Sequence, residues 1–540
     1  MQAREFNLLE EPWVRVIGPD CHVSEVSLTD ALLCAHQYTD LRGELPTQDT
    51  AMLRLLLAVL DTVFSRTDAS GREVPLASAD DALLRWQALW QLGRFPEKPL
   101  RNYLKKWHDR FWLFDPEFPF WQVPEARCGT EYPAGKLNGE MSESNNKLRL
   151  FPVCCGAGKE SLTYPQAARW LLYVNGYDDT SAKPKGKGLP SPGCGWLGKL
   201  GLITASGDNL FETLMLNLTL LRSDGELWPA ARPCWELPKS RSSERTEISV
   251  PDNLAELYTL QSRRLLLERQ GSRVIGYQLL GGDFFDKLSA GAEPMTLWRA
   301  VRAKGKSAEI LGFQPKRHDP SRQMWREFPE LFVQQEQERL PGIVQWISAL
   351  KTAGILEKKK LIRFVIAAVQ YGDKDFFVSD AFSDSLSFHT DLLAELGRSW
   401  QKKISGEVNR CGELAVQIGW LAQDLFRASC ESNSKSAKKA MDNVAQRAKE
   451  QFYFRIDTPF RAWLAGIDPA WDRDTAAKAQ ESWHETVRQI AKDLGEELVR
   501  SSGESAFVGR TVTEKDGPRH YSSPEALSMF LYRIKKIMAE

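Results

Sequence analysis

The sequence predicts an α+β protein: a large mixed α/β N-terminal domain over residues 1–385, then a C-terminal helical bundle of the four-helix type over residues 386–540. Three observations carry this. Short apolar runs bounded by turn residues alternate with helical stripes up to about residue 385. From Leu386 onward, apolar residues recur almost wholly at helical spacing. A chain of 540 residues, 42% hydrophobic and 26% charged, is long enough for two or three folded domains with a substantial core.

Phe6 to Ile17 and Cys21 to Leu28 read as two strands joined by the Gly18-Pro19-Asp20 turn. Met52, Leu55, Leu56, Val59 and Leu60 mark a helix, and Leu83, Trp86, Leu89 and Trp90 a second. Tyr103, Trp107, Phe111 and Phe114 share the face of a third, and their spacing points to core packing. Phe118 to Val123 is an aromatic strand or turn. Lys136 to Phe151 is a polar loop in which Asn145, Asn146, Lys147 and Arg149 suit phosphates or base edges. Tyr164 to Val174 is helical, with Pro165 fitted to a first turn. Tyr258 to Asp283 alternates as strands do, with a turn expected at Gly281-Gly282. Leu361 to Val369 and Phe376 to Val378 flank the polar Tyr371 to Asp375, a hairpin with charge at its tip.

In the C-terminal part, Leu392, Leu396, Trp400 and Ile404 form one stripe and Val408, Cys411, Leu414 and Ile418 a second. Trp483, Val487, Ile490 and Leu494 form a third, and Leu527, Leu531, Ile534 and Met538 a fourth. Residues 437–454 and 459–465 add a further helical piece, and residues 500–523 read as a basic linker.

Lys plus Arg and Asp plus Glu both number 71, so any basic surface must be local. Nine cysteines without a C-x-x-C, and histidines without metal spacing, argue against structural zinc and any metal site. The N-terminus lacks the apolar core of a signal peptide. Arg54 and Asp61 interrupt the most apolar helix, so no membrane segment is expected and a cytoplasmic location follows.

Gly176 to Gly207 is the most unusual stretch, too irregular for helix or strand. Gly186, Gly188, Gly193, Gly195 and Gly198 permit close backbone approach, and Lys183, Lys185, Lys187 and Lys199 supply charge, so the partner is anionic. Gly193, Gly198 and Lys199 match G-x-x-x-x-G-K, but Leu200 stands where a P-loop needs a hydroxyl and Leu189 to Pro192 where it needs a strand. Nucleic acid is therefore the better partner. The alternative is a nucleotide-dependent enzyme using Gly193 to Lys199 as a phosphate cradle. No nucleophile elbow, H-E-x-x-H or D-x-D cluster in an apolar context is present, and the acidic pairs Asp80-Asp81 and Asp178-Asp179 read as a helix cap and a loop, so a binding protein without catalysis or cofactor is expected.

The blocks FNLLEEPWVRV, LFDPEFPFWQV, KLNGEMSESNNKLRLF, YPQAARWLLYVNGY, GWLGKLGLITASGDNLFETLMLNL and EPMTLWR, in this order, resemble the CasA family, the large subunit of the type I-E CRISPR surveillance complex Cascade. The resemblance implies a non-catalytic subunit that recognises the protospacer-adjacent motif (PAM) in double-stranded target DNA, starts strand separation and presents the R-loop to a helicase-nuclease or other effector nuclease. Its implied partners are the CRISPR guide RNA 5′ end and the backbone, small and RNA-end-binding subunits. By that resemblance Lys183 to Gly198 is a glycine loop on DNA, Gly372, Asp373, Lys374 and Asp375 a wedge, and Asn145 to Phe151 a docking loop. Two departures stand out. The wedge carries two acids where relatives often have Gln or Asn. The lysine-finger site falls near Leu280-Gly281-Gly282, leaving Lys287 and then Arg273 as candidates.

Overall fold

The computed structural model describes residues 4–142, 147–148, 160–180, 188–284, 290–303, 309–332, 339–357, 360–430, 434–514 and 517–539. The fold is α+β. The chain forms two compact units: one of residues 1–322, 335–357 and 362–385, the other of 323–334, 358–361 and 386–540.

The first unit is built around the helix Pro46–Phe64, which begins on a proline and is buried along nearly its whole length. Its two charged interruptions are structural. Arg54 forms a bidentate pair with Glu293 at 2.9 and 3.0 Å and lies 4.3 Å from the centre of the Tyr258 ring. Burial pushes the Asp61 carboxyl up to about 7. The helices Leu254–Tyr258 and Tyr164–Tyr177 pack on this axis. The second of these starts in a capping box between Thr163 and Gln166, with the expected proline in its first turn.

Small antiparallel sheets surround the axis. Val14–Ile17 pairs with Val23–Val26 as expected and also with Asp40–Leu41. The predicted first strand, however, is broken: Glu5–Asn7 leaves to pair with Trp112–Phe114. The third helix stops at Lys106, so Phe111 follows a 3-10 turn and Phe114 lies in that strand; Tyr103 and Phe111 meet on Trp235, and Phe114 packs on Tyr164. The hairpin Arg263–Gln270/Arg273–Gly281 turns at Gly271 (φ 58°), not at Gly281-Gly282, in a register that sets Leu265 opposite Leu279 and Leu267 opposite Tyr277. Leu361–Tyr371 lies between Val378–His389 and Ile203–Ser206.

In the second unit four long helices, Arg398–Ser429, Lys435–Gly466, Arg473–Ser501 and Ser523–Ala539, pack on one another; the last turns Ala526, Phe530 and Ile534 inward, leaving the expected Leu527, Leu531 and Met538 half-buried. Leu392 is buried but precedes the first helix in a 3-10 turn. The two pieces expected around Pro459 form one helix containing it. Trp463 stacks on Trp483 at 5.1 Å and Trp325 on Phe460 at 4.2 Å, closing the core with aromatic area. The presumed linker instead folds into a short helix, Gly503–Val508, and the hairpin Arg510–Glu514/Gly517–Tyr521, which bury Ala506, Val512 and Tyr521 against Ala428.

The buried Arg54–Glu293 pair sets a stability test. Arg54→Ala leaves a buried carboxylate unpaired and is expected to lower unfolding free energy by about 3–5 kcal/mol in urea titrations. Adding Glu293→Gln should recover part of the loss; strictly additive losses would contradict the pairing.

Candidate nucleic-acid interface

Arg263, at the head of its strand, is completely buried. Its Nε donates to Asp178 Oδ2 at 2.6 Å, Nη2 to the carbonyls of Asp179 and Gly193, both at 2.8 Å, and Nη1 to its neighbour's carbonyl on Ser262 at 2.7 Å. One guanidinium thus closes the departure of the glycine segment from the helix Tyr164–Tyr177 onto its return at Gly193. Lys136 adds a second cation, 2.6 Å from Asp179 Oδ2. Burial alone would lower the Lys136 amine, but the charges of Asp178 and Asp179 outweigh it and raise it. Charge-assisted bonds of this kind, shielded from water, make a rigid base.

The hairpin tip is fastened to the same segment. Thr180 N–H donates to the Asp375 carbonyl at 2.8 Å and its hydroxyl to the Lys374 carbonyl at 2.9 Å. Arg317 grips the Asp375 carboxylate through both Nη atoms at 2.9 Å and donates to Cys194 Sγ at 3.1 Å. Burial opposes ionisation of both Arg317 and Asp375, yet their pairing wins, raising the guanidinium and lowering the carboxyl. Tyr371, at the base of the tip, donates to the Tyr177 carbonyl at 2.8 Å. These ties hold two consecutive non-glycine residues, Lys374 (φ 52°) and Asp375 (φ 60°), in the left-handed region. Such conformations cost on the order of 1–3 kcal/mol each and persist where surrounding contacts fix them. Lys374 and Asp373 are exposed at the tip.

The structure relocates several expected residues. Gly176 to Gly207 is not irregular throughout: it ends one helix, contains a 3-10 turn at Leu197–Lys199 and runs into the strand Ile203–Ser206. Gly195 is buried, and a Cβ there would overlap the Gly176 carbonyl; at Gly198 it would overlap the Tyr371 hydroxyl. Both glycines serve close approach of the chain to itself. Gly193 has φ 68° and Gly188 φ 71°, and Gly188 is exposed. Lys199 turns inward, donating to the Pro192 carbonyl at 3.1 Å and lying 5.0 Å from the Phe284 ring centre. A phosphate cradle at Gly193 to Lys199 is therefore closed, since its backbone packs on Gly176 and its lysine on its own loop.

Arg273 is no finger near this junction. It lies at the turn end of its hairpin, about 26 Å along the strand from Gly281, with its guanidinium on Ser161 Oγ at 2.6 Å and the Ser161 carbonyl at 2.9 Å. Lys183, Lys185, Gly186, Lys187, Lys287, Asn145, Asn146, Arg149 and Phe151 lie outside the described residues, and of Lys147 only the backbone is described, in a strand paired with Met141–Ser142.

Sequence reasoning missed Arg263 and Arg317. The available signal was the Asp178-Asp179 pair directly after a helix, which needs a cation if buried, and the Arg263-Arg264 pair opening an apolar strand.

Residues 7–494 match the family model described as CRISPR-associated protein Cse1. A CasA/Cse1 protein from Thermus thermophilus is 31% identical over 529 residues, covering 94% of this chain and 98% of the relative. The chain belongs to the Cse1 family. Cse1, also called CasA, is the large subunit of type I-E Cascade. The crystal structure of Thermobifida fusca Cse1 superimposes with a TM-score of 0.80 at 28% identity, over 99% of this chain and 98% of that one. A chain in a structure described as a CRISPR RNA-guided surveillance complex shares the fold at TM-score 0.69 and 16% identity, with full coverage of both.

Lys199 supplies a pH test of this Cse1 geometry. Burial, reinforced by Arg263 and Arg317, lowers its amine from 10.5 to about 8. Between these values the unfolded chain holds a proton that the folded chain has released, so stability rises with pH across that window. Urea midpoints of wild type relative to Lys199→Met are expected to climb from about pH 8 to about pH 10; a constant difference would contradict the inward position.

Proposed function

We propose that this chain is the motif-reading subunit of its RNA-guided complex: it recognises a short flanking motif in double-stranded DNA, initiates strand separation there, and presents the opened site to a nuclease. Membership of the Cse1 family supports the setting, with guide RNA and the other Cascade subunits as partners. The observation that carries the reading is the fastening of the exposed tip Gly372 to Asp375 onto Thr180, the residue from which the lysine-bearing stretch 181–187 departs.

The chemistry suits the task. Minor-groove edges are degenerate, so a glycine-rich backbone with nearby cations accepts several related motifs, and an inserted side chain parts the first base pair. Lys374 is the wedging residue in this reading. The acid that follows it does not repel DNA, because Arg317 neutralises Asp375. Asn145 to Phe151 serves as the docking loop toward the guide RNA 5′ end and the adjoining subunit.

The test is a gel-shift of the reconstituted complex, with and without this chain, on duplexes with randomised flanks. Flank-dependent binding is expected only with the chain; flank-blind binding in both cases would overturn the reading. Replacing Lys183, Lys185 and Lys187 together by Ala is expected to lower the salt dependence of binding by up to about one unit for each phosphate no longer neutralised. Lys374→Ala should leave initial capture intact and slow strand opening, followed by 2-aminopurine fluorescence next to the motif.

A further inference from the structure

A groove of about 650 Å³ in the first unit is lined by none of the residues assigned above. Phe95, only 3% exposed, lies at its base. The ring stacks on Phe64 at 6.1 Å and meets Phe211 edge-on at 4.8 Å, so this apolar surface is fixed to the end of the axial helix Pro46–Phe64. Leu33 and Cys34 also line the groove, as do Ala69 and Ser70. The turn at Ser70 is held by Asp68 Oδ1, which accepts from its amide at 2.9 Å and its hydroxyl at 2.7 Å. The helix Ala79–Gln91 ends at Gly93, whose left-handed backbone (φ 63°) carries the chain out and leaves Leu92 and Arg94 exposed at the groove. Leu92 is 51% exposed, beside an apolar surface that is already in place.

Cations follow the groove and run past it. Arg94 and Arg101 line it, and Lys98, Lys105 and Lys106 continue along the helix Glu97–Lys106, all of them exposed. The one acid in this stretch, Glu97, pairs with Arg101, and an ion pair so exposed is worth little. Arg94 has no ion-pair partner among the described residues. In a chain of zero net charge this is a local excess of positive charge, and it calls for an acidic occupant. From Lys98 to Lys106 the cations span about 12 Å of helix, so the occupant is a chain and not a small ion. A nucleic-acid strand would find phosphate partners here but no exposed ring on which to stack a base. Phe95 is buried, His36 is half-buried, and the remaining apolar lining is leucine, alanine and proline.

We propose that this groove docks an acidic segment of another protein, with a leucine-sized side chain against Leu33, Leu92 and Phe95 and carboxylates at Arg94 and Arg101. Apolar burial supplies the affinity, and the cations fix the orientation and make it salt-dependent.

The probe is a fluorescein-labelled peptide, Glu-Glu-Leu-Leu-Glu-Glu, titrated into the full chain and read by polarisation. Cys34 reports the position, because it lines the groove and its rate of alkylation by iodoacetamide can be followed by mass spectrometry. Saturable binding is expected, with alkylation of Cys34 slowed at saturation. Arg94→Glu, an exposed change that leaves the core intact, should weaken binding about tenfold. A companion peptide with serine in place of both leucines should bind at least about tenfold more weakly, since the apolar contact is lost. Equal binding of the two peptides would reduce the surface to a patch of charge and overturn the groove, as would the failure of either to bind. Duplex DNA that displaces the peptide and itself protects Cys34 would assign the surface to nucleic acid. Protection that grows with chain concentration alone would assign it to a second copy. Either result would overturn the proposal.

Discussion

The Arg263 guanidinium is the constraint on which the candidate interface depends. It is fully buried, and its donors reach Asp178, Asp179 and Gly193, the two ends of a segment whose middle carries three lysines. A buried cation with one fewer partner would be several kcal/mol out of balance. The ends of the segment are therefore fixed to the hairpin Arg263–Gln270/Arg273–Gly281. Lys136 repeats the device on Asp179, so neither acid of the pair is left uncompensated.

From that base the ties run outward to the tip. Tyr371 holds the end of its strand to Tyr177, and Thr180 and Arg317 hold Lys374 and Asp375 in left-handed backbone that is uncommon outside glycine, more so for lysine than for aspartate. Glycine at 195 and 198 is what lets these layers approach, since any side chain there would strike the chain itself. Packing, ion pairing and local strain thus converge on one edge, where a lysine-bearing stretch and an exposed tip leave from the same support.

Much of the scaffold was legible in the sequence, because its signals are local. Pro165 in the first turn of Tyr164–Tyr177 and the helical stripes of the second unit are patterns within a few residues, whereas the start at Pro46 and the Thr163–Gln166 box, equally local, went unread. The charged hairpin at Gly372 to Asp375 was equally readable. What escaped depends on partners far apart in the chain. Arg263 and Asp178 are separated by 85 residues and Arg317 and Asp375 by 58; a local pattern such as Asp178-Asp179 calls for a cation but does not say which residue supplies it. The glycines were readable as sites of close approach but not as to what approaches; Gly195 meets Gly176, not a ligand. Turn placement failed at Gly281-Gly282 for a related reason: two glycines signal permissiveness, while the register pairs Leu265 with Leu279 and Leu267 with Tyr277 and the turn falls at Gly271.

Arg317, Thr180 and Tyr371 tie the tip to the glycine segment, and the Arg317–Asp375 pair is a joint that can be cut while Lys374 and the lysines at 183, 185 and 187 stay in place. The most direct measurement is a double-mutant cycle, Arg317→Gln and Asp375→Asn, singly and together, in the reconstituted complex, reading the ratio of affinities for preferred and unpreferred flanking bases. Each single substitution is predicted to lower this ratio and the double variant to fall no further, because both cut the same joint. Unchanged ratios, or losses that multiply, would contradict it.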